Sequence, residues 1–394
     1  MSSIDTLLIV LAIVYLVECA AWVPRDAVPF RQGLFGRWRH APPSEWGGHD
    51  RSAFVFSGPL PPLPPLILSE EWPIAIGDDG VSRLPPAEAR LFPWESLREL
   101  RVDGRALLAK GDRVAEFLSP LVAHEVGGLL ERLAALPPER RGPEIRSAVR
   151  ASLDAEGARR RYAEYRRAAR MLAISTNGLA VLLFAVVPAM FHVPFLAERW
   201  FWVLLVALAV WPLVIVDFAH AHRALFPRLK RRRHVATMAA SPLGALRARD
   251  VVARDALALF HPLAAARTLL DAPRFEELAR KALAEARFPV PAAAPRAGEE
   301  GWRALLGEEI ERFLRHEGLD PQALLAPPPR EGPESLAYCE RCRSQYTLRE
   351  GTCHACGGRA LRAYEDGAGR PVSPFPAPAA RKPRTVSGSR KRSR

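Results

Sequence analysis

Three apolar runs interrupt an otherwise arginine-rich chain, each near the ~20 residues that a helix needs to cross a hydrocarbon core. Residues 4–23 contain LLIVLAIVYLVECAAWV, residues 171–191 form the second run and residues 200–219 the third. A helix that is apolar on every side must be buried in a large core or surrounded by lipid. The pattern predicts a multi-domain membrane protein with three transmembrane α-helices. A cleaved signal peptide is disfavoured for the first run, because MSSID places no basic side chain before it. A lipoprotein reading of Cys19 fails as well, since Glu18 stands where a small residue is expected. Only HVPFLAER separates the second and third runs, so these two form a helical hairpin. Pro188 and Pro212 predict modest kinks there, which membrane helices tolerate.

Arginine sets the orientation, because cytoplasmic flanks carry the excess of basic residues. Arg25, Arg31, Arg37 and Arg39 follow the first run; Arg159, Arg160, Arg161, Arg166, Arg167 and Arg170 precede the second. Arg223, Arg228, Lys230, Arg231, Arg232 and Arg233 follow the third. The N-terminus and the hairpin loop are expected outside, and the two long regions in the cytosol beneath an inner membrane. Trp22, Trp200 and Trp202 fall near the expected interfaces. Only five of the 56 basic residues are lysine, a bias associated with GC-rich bacterial genomes. A net charge of +13 calls for an anionic partner: lipid headgroups, nucleic acid or acidic protein.

Two kinds of polar residue interrupt the apolar runs. Glu18 and Asn177 lie inside them, where such groups mark functional sites or helix contacts. Asp217, His220 and His222 form a D-x-x-H-x-H string at the end of the third run. The string is either a second metal site or, more often for such residues, a membrane boundary at which charged groups reach the headgroups.

Between 52 and 136 the pattern is that of a small α+β domain. Short strands SAFVFS, PLILS, PIAI and VSRL come first; then LRELRV, RALLAK and RVAEFL are joined by Asp103-Gly104 and Gly111-Asp112, both hairpin turn signals. Ser119-Pro120 reads as a helix cap, and Leu121, Val122, Val126, Leu129, Leu130 and Leu133 recur at helical spacing. About seven strands closed by one helix resemble the pleckstrin-homology-like family in element order. Residues 143–170 read as a charged helical stalk, 241–288 as a helical region and 299–318 as an amphipathic helix with Trp302, Leu305, Leu306, Ile310, Phe313 and Leu314 on one face. Residues 367–394 hold almost no apolar side chains and are expected to be a disordered basic tail.

Five cysteines give an odd count with no disulfide framework, and four of them fall within eighteen positions. Cys339-x2-Cys342 and Cys353-x2-Cys356 have knuckle spacing, in which both thiolates of a pair reach one ion. The ten residues between the pairs, Arg343 to Thr352, are expected to form a hairpin with Tyr346 and Leu348 facing inward. The stretch YCERCRSQYTLREGTCHACGGRAL resembles the zinc-ribbon, or rubredoxin-like, family, which makes 337–363 a small β zinc ribbon. The resemblance implies a Zn²⁺ on Cys339, Cys342, Cys353 and Cys356, or iron on the same ligands. With every position filled by protein, a zinc there is structural. Glu340 departs from the proline common after the first cysteine. Ribbons of this family bind nucleic acid, bind protein or staple a small fold.

The tail residues Arg381, Lys382, Arg384, Arg390, Lys391, Arg392 and Arg394 are candidates for an anionic partner. No familiar catalytic signature occurs in a suitable context. The leading expectation is a non-enzymatic membrane scaffold that recruits a cytosolic protein partner through the ribbon. A membrane-tethered nucleic-acid-binding regulator is the second, and a membrane enzyme acting on lipid or envelope precursors through Asp217 and the nearby His220 and His222 the third.

Overall fold

The computed structural model describes residues 52–56, 65–70, 72–84, 90–117, 119–189, 193, 195, 199–227, 229, 235–236, 239, 245–246, 248–289 and 298–365. The expected first span, 4–23, and the basic tail, 367–394, lie outside them.

Eight strands come first. Strands β1 (Ser52–Phe56) and β2 (Pro65–Glu70) pair antiparallel. Strands β3 (Ile74–Ile76), β4 (Gly80–Arg83) and β5 (Leu91–Pro93) form one meander. A second meander holds β6 (Leu100–Asp103), β7 (Ala106–Ala109) and β8 (Asp112–Glu116). The tight turns fall where glycine permits them: Gly104 has φ 60° and Gly111 has φ 88°. The meanders meet at β4 and β8, where Arg83 Nε donates to the Val114 carbonyl at 3.3 Å. Helix α1 (Pro120–Ala135) closes this unit; Ser119 caps it by accepting from the Leu121 N–H. Its buried Val122, Val126, Leu129, Leu130 and Leu133 lie on the face that the spacing predicts.

The charged stretch before the second apolar run is not one straight stalk. Helix α2 (Pro138–Ser152) ends at Leu153, and Asp154 starts α3 (Ala155–Ala168) by accepting from the Gly157 N–H at 2.8 Å. The helices are packed rather than free-standing, because Ile145 and Val149 on α2, and Ala158 and Tyr165 on α3, are buried. A turn at Ala169 leads into α4 (Arg170–Val181). That helix continues through a π turn at Leu182–Val186 into Val187–Ala189. The widened turn immediately precedes Pro188, which lacks the N–H that an α-helical ladder requires. Helix α5 (Trp200–Leu225) runs on through Pro212 and packs against α4.

The remaining helices are α6 (Ala248–Leu257), α7 (Pro262–Leu269), α8 (Ala272–Arg287), α9 (Glu299–His316) and α10 (Pro321–Leu325). Asp271 and Asp320 cap α8 and α10, while His261 Nδ1 accepts from Leu263 N–H at the start of α7. The segment expected as one helical region is thus several short helices broken at capping residues.

Two apolar cores organise these elements. The first unites both meanders and α1 with α2, α8 and α9, so chain from before and after the apolar hairpin shares one interior. Helix α9 lies on α2 and β3. Backbones touch closely there: a Cβ on Gly77 would stand 2.7 Å from Gly298 Cα, so neither position admits a side chain without a shift. Trp72 and Trp302 stack with centroids 6.0 Å apart. Glu309, 1% exposed, receives Arg146 at 3.3 Å, Arg150 at 3.1 Å and Arg312 at 2.9 Å. Burial alone would raise its carboxyl, but the hydrogen bonds and charges of Arg150, Arg312 and Arg146 hold it below the usual range.

The second core joins α3, α4, the C-terminal half of α5 and α6 through Tyr165, Leu172, Leu179, Val214, Phe218 and Val252. The β1–β2 hairpin rests on α6 and α7 rather than pairing with β3. The architecture is therefore mixed helix and small antiparallel sheets. Among the described residues one helix, Phe201–Leu225, is long and apolar enough to cross a membrane; its most apolar 18 residues have mean hydropathy 2.4 and are 12% buried.

Candidate metal centre

The C-terminal module is built from pairs of very short strands that hold two cysteine knuckles against each other. Strand β9 (Ala337–Tyr338) pairs with β10 (Gln345–Tyr346) on one side and β13 (Arg362–Ala363) on the other. Strand β11 (Thr352–Cys353) pairs with β12 (Arg359–Ala360). The stretch between the knuckles is therefore not a hairpin on itself, as its length suggests: each end pairs with chain beyond a knuckle. Leu348 is 66% exposed and does not face inward, whereas Tyr346 packs against the cysteines.

Each knuckle turns through a residue with positive φ. Arg343 follows the first at φ 63°, and Gly357 and Gly358 follow the second at 65° and 83°. The backbone closes both: Arg343 N–H donates to the Cys339 carbonyl at 2.8 Å, and Gly358 N–H to that of Cys353 at 3.0 Å. These turns aim the thiols at one point. The Sγ atoms of Cys339, Cys342, Cys353 and Cys356 all lie within 4.8 Å of one another. Cys342 and Cys353 stand 3.6 Å apart. Four sulfurs at ~2.3 Å from a tetrahedral ion would be separated by ~3.8 Å, so the cluster has the dimensions of a metal site.

The electrostatics fit a cation as well. Cys339, Cys353 and Cys356 are buried and Cys342 is exposed. Burial pushes the Cys339 and Cys356 thiols up, the charge of Cys342 adding to the shift in both. At Cys342 desolvation opposes ionisation, but the Ser344 hydroxyl and backbone, with the neighbouring thiols, bring the value down to about 7. One thiolate therefore forms first and hinders the rest, a repulsion that a divalent ion relieves. Arg341 Nη1, 3.9 Å from Cys356 Sγ, supplies further positive charge.

Arginines dock the module on α8. Arg341 pairs with Glu285 at 3.4 Å; Arg359 donates to the Pro289 carbonyl at 3.2 Å and lies over the Phe288 ring. Glu340, the departure from the usual proline, holds Arg359 at 3.5 Å and Arg362 at 2.7 Å. The sequence spacing indicates none of these docking residues, because their partners are remote in the chain.

The D-x-x-H-x-H string does not converge on a point. Asp217 is half-buried, His220 is exposed and His222 is buried between the rings of Phe218 and Phe226. His222 Nε2 lies 3.9 Å from Asp255 Oδ2 on α6, so it links the apolar hairpin to the helix behind it. Among the described residues the four cysteines are the one group of three or more potential ligands placed to hold a metal. Asn177 is exposed on α4. Glu18 and the seven basic tail candidates lie outside the described residues.

No family model, curated protein or solved structure matches the chain. The chemistry of the site therefore rests on its own geometry, which is a cluster of four cysteine sulfurs on an arginine-docked module.

Proposed function

We propose that the chain is a multi-pass protein of a bacterial inner membrane, with its N-terminus outside and both long regions in the cytosol. In this reading it acts without catalysis as a scaffold, recruiting a cytosolic protein through a zinc-stapled ribbon. The observation that carries it is the closed cysteine cluster, in which all four tetrahedral positions come from protein and leave none for a substrate. Zinc suits a set of four thiolates in a reducing compartment and stabilises a module too small to build a core of its own. Membrane placement draws support from the largely exposed apolar stretch of the Phe201–Leu225 helix and from the arginines that flank all three apolar runs. The two meanders closed by α1 suit a pleckstrin-homology-like unit, which adds a second contact surface. The basic tail supplies an anionic contact near the membrane.

A protein partner is favoured over nucleic acid because Arg341, Arg359 and Arg362 on the ribbon are engaged by Glu285 and Glu340. Capture from detergent-solubilised membranes tests the reading. A stoichiometric cytosolic protein is expected with the native chain and lost when Cys339 and Cys342 are changed to Ser. Equal recovery with both chains would remove the ribbon from the recruiting role. A nucleic-acid partner would instead bring affinity that falls steeply with salt.

A further inference from the structure

The two helices of the apolar hairpin present unlike outward faces. On α5 the exposed residues are bulky and apolar, among them Phe201, Trp202, Val206, Leu213 and Val216, a surface suited to lipid chains. Beyond Arg170, the exposed residues of α4 and the π turn that continues it are Met171, Ile174, Asn177, Gly178, Val181 and Ala185. Five of these, all but Asn177, recur at alternating steps of three and four, the spacing of a seam that packs along another helix. A Cβ on Gly178 would meet nothing within 4 Å, so a neighbouring backbone can approach closely there. Asn177 borders the seam with an amide that lipid chains cannot satisfy and another helix can.

The chain carries a segment matched to this face. Residues 4–23 have the length of one crossing and include one ionisable group, Glu18. Asn177 lies seven positions beyond Arg170, and Glu18 seven positions before Arg25. Each polar group thus stands the same number of residues from the arginine that flanks the expected cytosolic end of its run. We infer that the first apolar segment packs antiparallel along the Met171–Ala185 seam, with the Asn177 amide donating to the Glu18 carboxyl. The inference rests on the three-span topology proposed above. It assigns Glu18 and Asn177 to each other, as the contact that joins the first span to the hairpin.

Disulfide trapping of the full chain in native membranes tests it. The background carries Cys19→Ser and a protease site in the 24–51 segment, so that an internal cross-link keeps the two cleaved pieces together. Glu18→Cys with Asn177→Cys should leave most of the cleaved chain joined on mild oxidation and separate it on reduction. Glu18→Cys alone, or with Val216→Cys, should leave the pieces apart; Val216 lies seven positions before Arg223 on the outward face of α5. Separated pieces in the Glu18/Asn177 pair would overturn the inference. Asn177→Cys chains linked to one another instead would give the seam to a second copy and overturn it too. Alkaline carbonate extraction separates the two levels of failure: release of the chain defeats the membrane reading, whereas retention with separated pieces defeats only this contact.

Discussion

The ribbon and the first apolar core hold together in opposite ways. In the ribbon, strands of two residues surround three buried cysteines, with Tyr346, Ala355 and Leu361 as partly buried neighbours. Its four cysteines fall within eighteen positions, and a metal ion would replace the missing apolar interior. The first core draws Ile74, Leu107, Leu130, Leu283, Ile310 and Leu314 from segments on either side of the apolar hairpin. Its long-range closure is a buried carboxylate, with Arg150 and Glu309 separated by 159 positions. One unit is thus local and gathered around a cysteine cluster that could hold an ion; the other depends on burial and is assembled from remote pieces.

Stripping the metal should break the comparison most sharply. A strong chelator should remove on the order of 10 kcal/mol of apparent stabilisation from the ribbon. Hydrogen exchange should then become fast across 337–363 while β3 to β8 and α1 keep their protection. Loss of protection in both units together would mean that they are not independent. Trp302→Ala strikes the other unit, removing a buried ring stacked on Trp72, and should destabilise the first core by about 3–5 kcal/mol in a denaturant titration. Metal content should not change.

Glu309→Ala should cost about 3 kcal/mol, at the low end for a broken buried pair because Arg150 and Arg312 are half exposed. The sign with pH follows from the lowered carboxyl. Its stabilisation is fully present above the ordinary value of 4.5 and is lost as pH falls through the lower folded value. The stability of the native chain should therefore fall more steeply than that of Glu309→Gln as the pH drops below about 4.5. Parallel pH profiles would show that the carboxylate does not close the core. Smallest of all, Leu348→Ser should change ribbon stability by less than about 0.5 kcal/mol, since the side chain is 66% exposed. A large loss would show that Leu348 has a partner.

The same contrast explains what the sequence disclosed. Local signals were legible: Ser119-Pro120 caps α1, Gly104 and Gly111 turn the second meander, and the two C-x2-C pairs converge. The fusion of the regions before and after the hairpin was not. Gly77 against Gly298, Trp72 on Trp302 and Arg150 on Glu309 are pairings between remote segments that neither segment's own periodicity specifies. The stalk failed for a local reason that was present but outweighed, since Asp154 caps a new helix inside a run of arginines. Leu348 misled because alternation fits a hairpin only if the strands pair with each other, and here β10 pairs with β9.

Elemental analysis of the full chain, purified in detergent without added metal, tests the central claim most directly. One zinc per chain is expected, retained through gel filtration and lost in Cys339→Ser and Cys353→Ser. A native chain carrying no stoichiometric metal, or one whose zinc survives both substitutions, would contradict it.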